Sequence, residues 1–132
     1  MNMNMYKAVT KDVEVRVETF YQEGASNPEA EKYVFAYRIF IENHSEFTIK
    51  LLSRHWHIID SNGQMTEVEG EGVIGQQPVI EPEKKHEYVS GCELQSELGK
   101  MNGTYLMEKQ IDGSTFEVEI PEFVLIAPYR LN

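Results

Sequence analysis

Gly70-x-Gly72-x-x-Gly75 is the one stretch whose residue types and spacing match a dinucleotide-binding turn. In such a turn the glycines let the backbone approach a pyrophosphate, and a helix N-terminus holds the charge. Here the last glycine is followed by Gln76-Gln77-Pro78, two β-branched residues and then Pro82. Each proline removes a backbone donor and pushes its predecessor out of helical geometry, so no helix starts there. A second chemistry is an anion nest, in which successive backbone N–H groups cradle a phosphate without a helix. The carboxylates of Glu67, Glu69 and Glu71 crowd that approach. The simpler reading has the glycines shaping a long turn between strands while Pro78 fixes the exit. Gly70, Gly72, Gly75, Gln77 and Pro78 are therefore a candidate loop for a ligand or a partner.

His55 and His57 stand two apart in a strand-like run, so both imidazoles point to one face and could form half of a metal site. The sequence offers no clustered further ligand beyond His44, His86 or scattered carboxylates. The pair reads as two sheet-surface histidines, with no metal assigned. Trp56 alternates with His55 and reads as a core filler; the competing role is an aromatic anchor with Arg54 on its side. Arg54 and His55 are carried as candidate surface residues. Cys92, the only cysteine, has a histidine nearby in His86, but nothing marks its thiolate as activated. No G-x-S-x-G elbow, HExxH or P-loop occurs, so no catalytic residue is assigned and no cofactor is expected.

The elements that must position these residues are strands. Val13, Val15 and Val17 alternate with charged residues, and residues 33–43 carry apolar side chains on both faces, as in a central strand packed on another sheet. Another strand region runs from Phe47 to Asp60, before a Ser61-Asn62-Gly63 turn. A short edge strand around residues 65–69 leads into the glycine turn. Strand character resumes at residues 86–91. Residues 103–110 and 114–120 make a hairpin about Asp112-Gly113, and Pro121 breaks the run before a last strand at 123–127. Residues 1–9 read as a loosely held start, residues 23–29 as a loop, and residues 92–100 as a loop with a short helical turn. About seven to nine short strands with turn signals every ~8–12 residues predict an all-β immunoglobulin- or fibronectin type III-like sandwich.

At 132 residues the chain is one domain, expected to span 1–132 with its core over about 9–127. The formal net charge of -10, from 22 acidic and 12 basic side chains, repels phosphate backbones and anionic lipid, which argues against nucleic-acid or membrane-surface binding. It favours basic partners or weak attraction of divalent cations. One cysteine allows no intrachain disulfide, which fits a reducing cytoplasm. No apolar run approaches the roughly 20 residues of a membrane span, and residues 1–6 lack signal-peptide character. Open sheet edges make a homodimer conceivable.

Three groups of residues carry a family resemblance. They are Ser53-Arg54-His55-Trp56; the run from Asp60-Ser61-Asn62-Gly63 through Gly70-Glu71-Gly72-Val73-Ile74-Gly75-Gln76-Gln77-Pro78 to Glu81-Pro82; and Tyr88-Val89-Ser90-Gly91-Cys92, Gly99-Lys100-Met101-Asn102-Gly103-Thr104-Tyr105 and Phe116-Glu117-Val118-Glu119-Ile120-Pro121. Together they resemble the ApaG family over about residues 9–127. The resemblance implies a fibronectin type III-like sandwich. For bacterial members it implies a genetic association with cobalt resistance and magnesium efflux, without an established biochemical activity. Related domains in eukaryotic F-box proteins and in a polymerase-delta-interacting protein imply a protein-interaction module. The family motif has also prompted nucleotide-binding proposals. His57 lies outside the family pattern, whereas Arg54, His55 and Trp56 match it. The expectation is a non-enzymatic cytosolic binding module with a protein partner. The alternative is a small-ligand sensor for pyrophosphate or nucleotide at the turn, or for a divalent cation on the acidic surface.

Overall fold

A computed structural model describes residues 5–128. Nine strands follow in order: β1 (Met5–Thr10), β2 (Val13–Tyr21), β3 (Tyr33–Asn43), β4 (Ile49–Asp60), β5 (Met65–Glu71), β6 (Val79–Ile80), β7 (Lys85–Leu94), β8 (Leu98–Lys109) and β9 (Thr115–Ile126). One sheet runs β1-β2-β3-β7; the other runs β5-β4-β8-β9, with β6 paired to β4. All pairings are antiparallel. The chain crosses between sheets after β3, β6 and β7, which makes the fibronectin type III-like sandwich the alternation predicts.

Alternation dictates the core. Val13, Val15 and Val17 of β2 and Phe35, Tyr37, Ile39 and Ile41 of β3 turn inward and are buried. The opposite sheet supplies Leu51, Trp56, Tyr105, Met107, Val118 and Phe123. Tyr37 of one sheet meets Trp56 and Phe123 of the other with ring centroids 5.6 and 5.5 Å apart, and Trp56 stands edge-on to Phe123 at 5.8 Å. These tilted geometries suit the ring quadrupoles. Trp56 is only 3% exposed, so it fills the core. The outer face of β3 stays half-wet; Arg16 and Lys85 lie over the Phe40 ring at 5.0 and 5.7 Å.

Three expectations are corrected. Residues 5–9 are a paired strand, because β1 registers against β2 from Met5↔Glu18 to Thr10↔Val13; residues 1–4 lie outside the described residues. Residues 92–100 are mostly sheet, since β7 continues to Leu94 and β8 begins at Leu98. Pro121 does not end its strand, because it sits in a bulge of β9 where Pro121 and Glu122 stand against Asn102 alone, so its missing N–H interrupts no regular pair. On its other side β8 approaches β4 closely: a Cβ on Gly103 would lie 2.1 Å from the His55 carbonyl oxygen. Gly103→Ala is expected to lower stability by more than about 2 kcal/mol, read from urea unfolding. An unchanged midpoint would refute the close approach.

Candidate functional site

The glycine motif is a hairpin whose three glycines do three jobs. Ile74 and Gly75 have φ of 48° and 73°, and Val73 and Gln76 exchange hydrogen bonds at 2.8 and 3.0 Å, which defines a two-residue type I′ turn. Gly72 has φ of 61°, and a Cβ there would meet the Gln76 carbonyl oxygen at 2.1 Å, so no side chain fits. Gly70 makes room instead: a Cβ there would lie 2.9 Å from Nη1 of Arg54. Through that gap the Arg54 guanidinium donates to the carbonyls of Glu71 and Gly72, both at 2.9 Å.

The far strand of the hairpin is tied to the same place. The Leu52 carbonyl accepts from the Gly72 N–H and from Gln77 Nε2, each at 2.9 Å, and the Leu51 N–H donates to the Pro78 carbonyl at 3.0 Å. Leu52 is free to do this because the β4–β8 register shifts between Leu51 and Ser53. Gly70, Gly72, Gln77 and Pro78 thus converge on residues 51–54 of β4, and Gly75 caps the far end. The amides of Gly72, Val73 and Gln76 all donate inside this scaffold. Val73 and Ile80 are buried in the core beneath it, while Ile74 at the tip is 60% exposed and Val79 is 54% exposed.

Arg54 also faces the inter-sheet space. Its charge is felt by Tyr37, Tyr88 and Tyr105, though burial dominates and holds all three phenols above the ordinary tyrosine range. Tyr88 of one sheet and Tyr105 of the other meet hydroxyl to hydroxyl at 2.5 Å, joining the sheets beside the hairpin. Arg54 is therefore half-buried, with its guanidinium engaged by the hairpin.

His55 points the opposite way, onto the outer face of β4, so the two candidate surface residues are separated by the sheet. There the pairing of β4 with β5 sets Glu69 opposite His55 and Glu67 opposite His57. The His55 and His57 rings lie 4.7 Å apart. Nε2 of His55 is 2.5 Å from a Glu67 carboxylate oxygen and 3.5 Å from one of Glu69. The expectation that the histidines have no clustered carboxylate is corrected. Glu67 and Glu69 follow the Asn62-Gly63 turn, so counting the hairpin register back from that turn could have found them.

Cys92 is held as a neutral thiol: burial first, then the Asp60 and Glu93 carboxylates, push it up to about 11 from an ordinary 9.0. His86, the histidine nearest in sequence, lies six residues away on the same strand, opposite Ile41, while Cys92 stands opposite Phe35.

Two measurements probe this geometry. Arg54→Lys keeps the charge but loses the guanidinium fork, and should cost about 1–3 kcal/mol and speed amide exchange at Gly72, Val73 and Gln76. Exchange unchanged there would show that Arg54 does not clamp the hairpin. At about pH 8 the folded thiol should be alkylated by iodoacetamide about 100-fold more slowly than in urea, since two pKa units separate the states. Equal rates would contradict its burial. Because folding keeps the thiol neutral, it costs stability only as pH rises from about 9 through about 11.

Comparison with known proteins agrees with the fold and with the family resemblance. The ApaG domain model matches residues 23–109. Protein ApaG of Sinorhizobium fredii is 52% identical over 124 residues, covering 94% of this chain and 95% of that protein. Protein ApaG of Brucella canis is 49% identical over the same length, with the same coverage. A crystal structure assigned as an ApaA protein of Bordetella pertussis superposes with a TM-score of 0.86 at 41% identity, covering 92% of this chain and 98% of that one. The chain belongs to the ApaG domain family.

Proposed function

We propose that this chain is a non-enzymatic binding module that recognises a protein partner through the tip of its glycine hairpin. The observation that carries this reading is Ile74. A β-branched residue in the left-handed region is a genuine outlier, costing about 1–2 kcal/mol. Here it stands at φ 48° with 60% of its surface in solvent. Asparagine or glycine would hold the turn with less strain. Strained, exposed residues persist where the surrounding structure over-determines them, and they cluster at functional sites. Arg54, Leu52 and Gln77 supply that over-determination, so the isoleucine is presented with little ordering left to lose on binding.

The surroundings describe the partner. Val79 is a second exposed apolar residue beyond the hairpin, and Glu67, Glu69 and Glu71 lie exposed along the adjoining strand. A small apolar pocket rimmed by lysine or arginine complements this surface, and the net charge of -10 would steer such a partner in. A pyrophosphate or nucleotide reading is less well supported, because amides that would cradle an anion already bond within the hairpin. The association with cobalt resistance and magnesium efflux that the family implies would then act through the partner, in a reducing cytoplasm where a lone thiol is at home.

Ile74→Asn separates recognition from folding. Asparagine accepts the left-handed geometry, so stability should hold or rise by up to about 1 kcal/mol. Retention of a partner captured by the immobilised wild-type chain should fall at least ~10-fold, as for a lost apolar anchor. Retention equal to wild type would remove the hairpin tip from the interface.

A further inference from the structure

The outer face of β4 and β5 carries a separate constellation. His55 and His57 alternate past the inward Trp56, so their imidazoles share one face of β4. Antiparallel pairing brings Glu67 directly opposite His57 and diagonal to His55, within reach of both. One donor atom from each of His55, His57 and Glu67 lies within 4.8 Å of the other two. Around a tetrahedral ion with bonds of about 2.0–2.1 Å, ligand atoms stand about 3.3 Å apart. To reach that spacing the three side chains, two half-buried and one exposed, would rotate so that His55 and Glu67 part from 2.5 Å and the wider distances shorten.

We propose that His55, His57 and Glu67 form a mononuclear site for a divalent transition-metal ion of the zinc class. Two imidazoles and one carboxylate select such an ion over magnesium or calcium, which take oxygen ligands. Three protein ligands leave a further position. Glu69 stands beside it, with a carboxylate oxygen 3.5 Å from His55 Nε2. His57 also borders an open groove of about 460 Å³ lined by Asn102, Thr104, Glu119 and Glu122. The remaining position therefore opens toward solvent and an acidic groove, where water or a donor from another molecule can complete the coordination. Binding joins β4 to the sheet-edge strand β5, so the metal would stiffen the strand that leads into the hairpin.

The site predicts one-to-one binding. Chelator-treated full-length chain titrated with zinc chloride should show saturable shifts of the His55 and His57 ring resonances, with His44 and His86 unmoved and magnesium chloride without effect on any of the four. His57→Gln and Glu67→Gln should each weaken zinc binding by at least ~10-fold, since even an outer partner of a metal ligand is worth that much. Glu67 is exposed on an edge strand, so its variant keeps the fold if His57→Gln does not. Two results would overturn the site. One is ring resonances of His55 and His57 that stay fixed at millimolar zinc. The other is binding undiminished in Glu67→Gln but lost in Cys92→Ser or in His44→Gln, whose imidazole stands 3.7–3.8 Å from carboxylates of Glu14, Glu42 and Glu83.

Discussion

One guanidinium sets the geometry of the whole loop end of this sandwich. Arg54 passes through the space left by Gly70 and holds the carbonyls of Glu71 and Gly72. Charged donors make the stronger protein hydrogen bonds, about 1.5–3 kcal/mol each, and a two-point fork fixes orientation as well. With Gly72 fixed, its N–H reaches the bulged Leu52 carbonyl, the chain turns back through Ile74 and Gly75, and Gln77 closes on the same carbonyl. Remove the clamp and a seven-residue excursion has only a two-residue turn to define it. The glycines of the motif therefore serve an arginine and a turn, which accounts for their spacing without any helix.

The same strand presents different chemistry on its two faces. Toward the core, Arg54 and Trp56 secure the hairpin and the sheet packing; toward solvent, His55 and His57 meet the carboxylates of β5. A one-residue slip of β4 would exchange these sets, placing histidines in an apolar core and tryptophan in water. The cost of that exchange is what pins the register. The hairpin is anchored on β4 and continues from β5, and the histidine face lies on the same two strands, so a ligand at one can alter the mobility of the other through both.

Much of this was legible before any coordinates. The all-β class, the inward valines of β2, the central role of β3, the hairpin about Asp112-Gly113 and the burial of Trp56 all follow from period-two patterning and turn chemistry. Three elements were misread for definite reasons. β1 gains its order from pairing with β2 rather than from its own pattern. Between β7 and β8 only residues 95–97 leave the sheet, and there the buried Asp60 carboxylate accepts from the Gln95 N–H at 2.7 Å and from the Ser96 hydroxyl. At Pro121 a bulge in β9 itself, with Pro121 and Glu122 standing against Asn102 alone, kept a run going that proline should have ended.

For the sites, the sequence determined the ingredients: glycines and prolines that forbid a helix, a His-x-His pair on one face, an arginine two residues from the tryptophan, and a net charge of -10. These are local properties of residue type and alternation. It could not decide what each residue meets. That Gly70 exists to admit Arg54, that Leu52 is bulged outward to receive two donors, and that Glu67 lies against His55 are consequences of pairing between strands. Pairing is set by how the two sheets bury their shared core, a property of the whole chain, so only the tertiary structure could settle it.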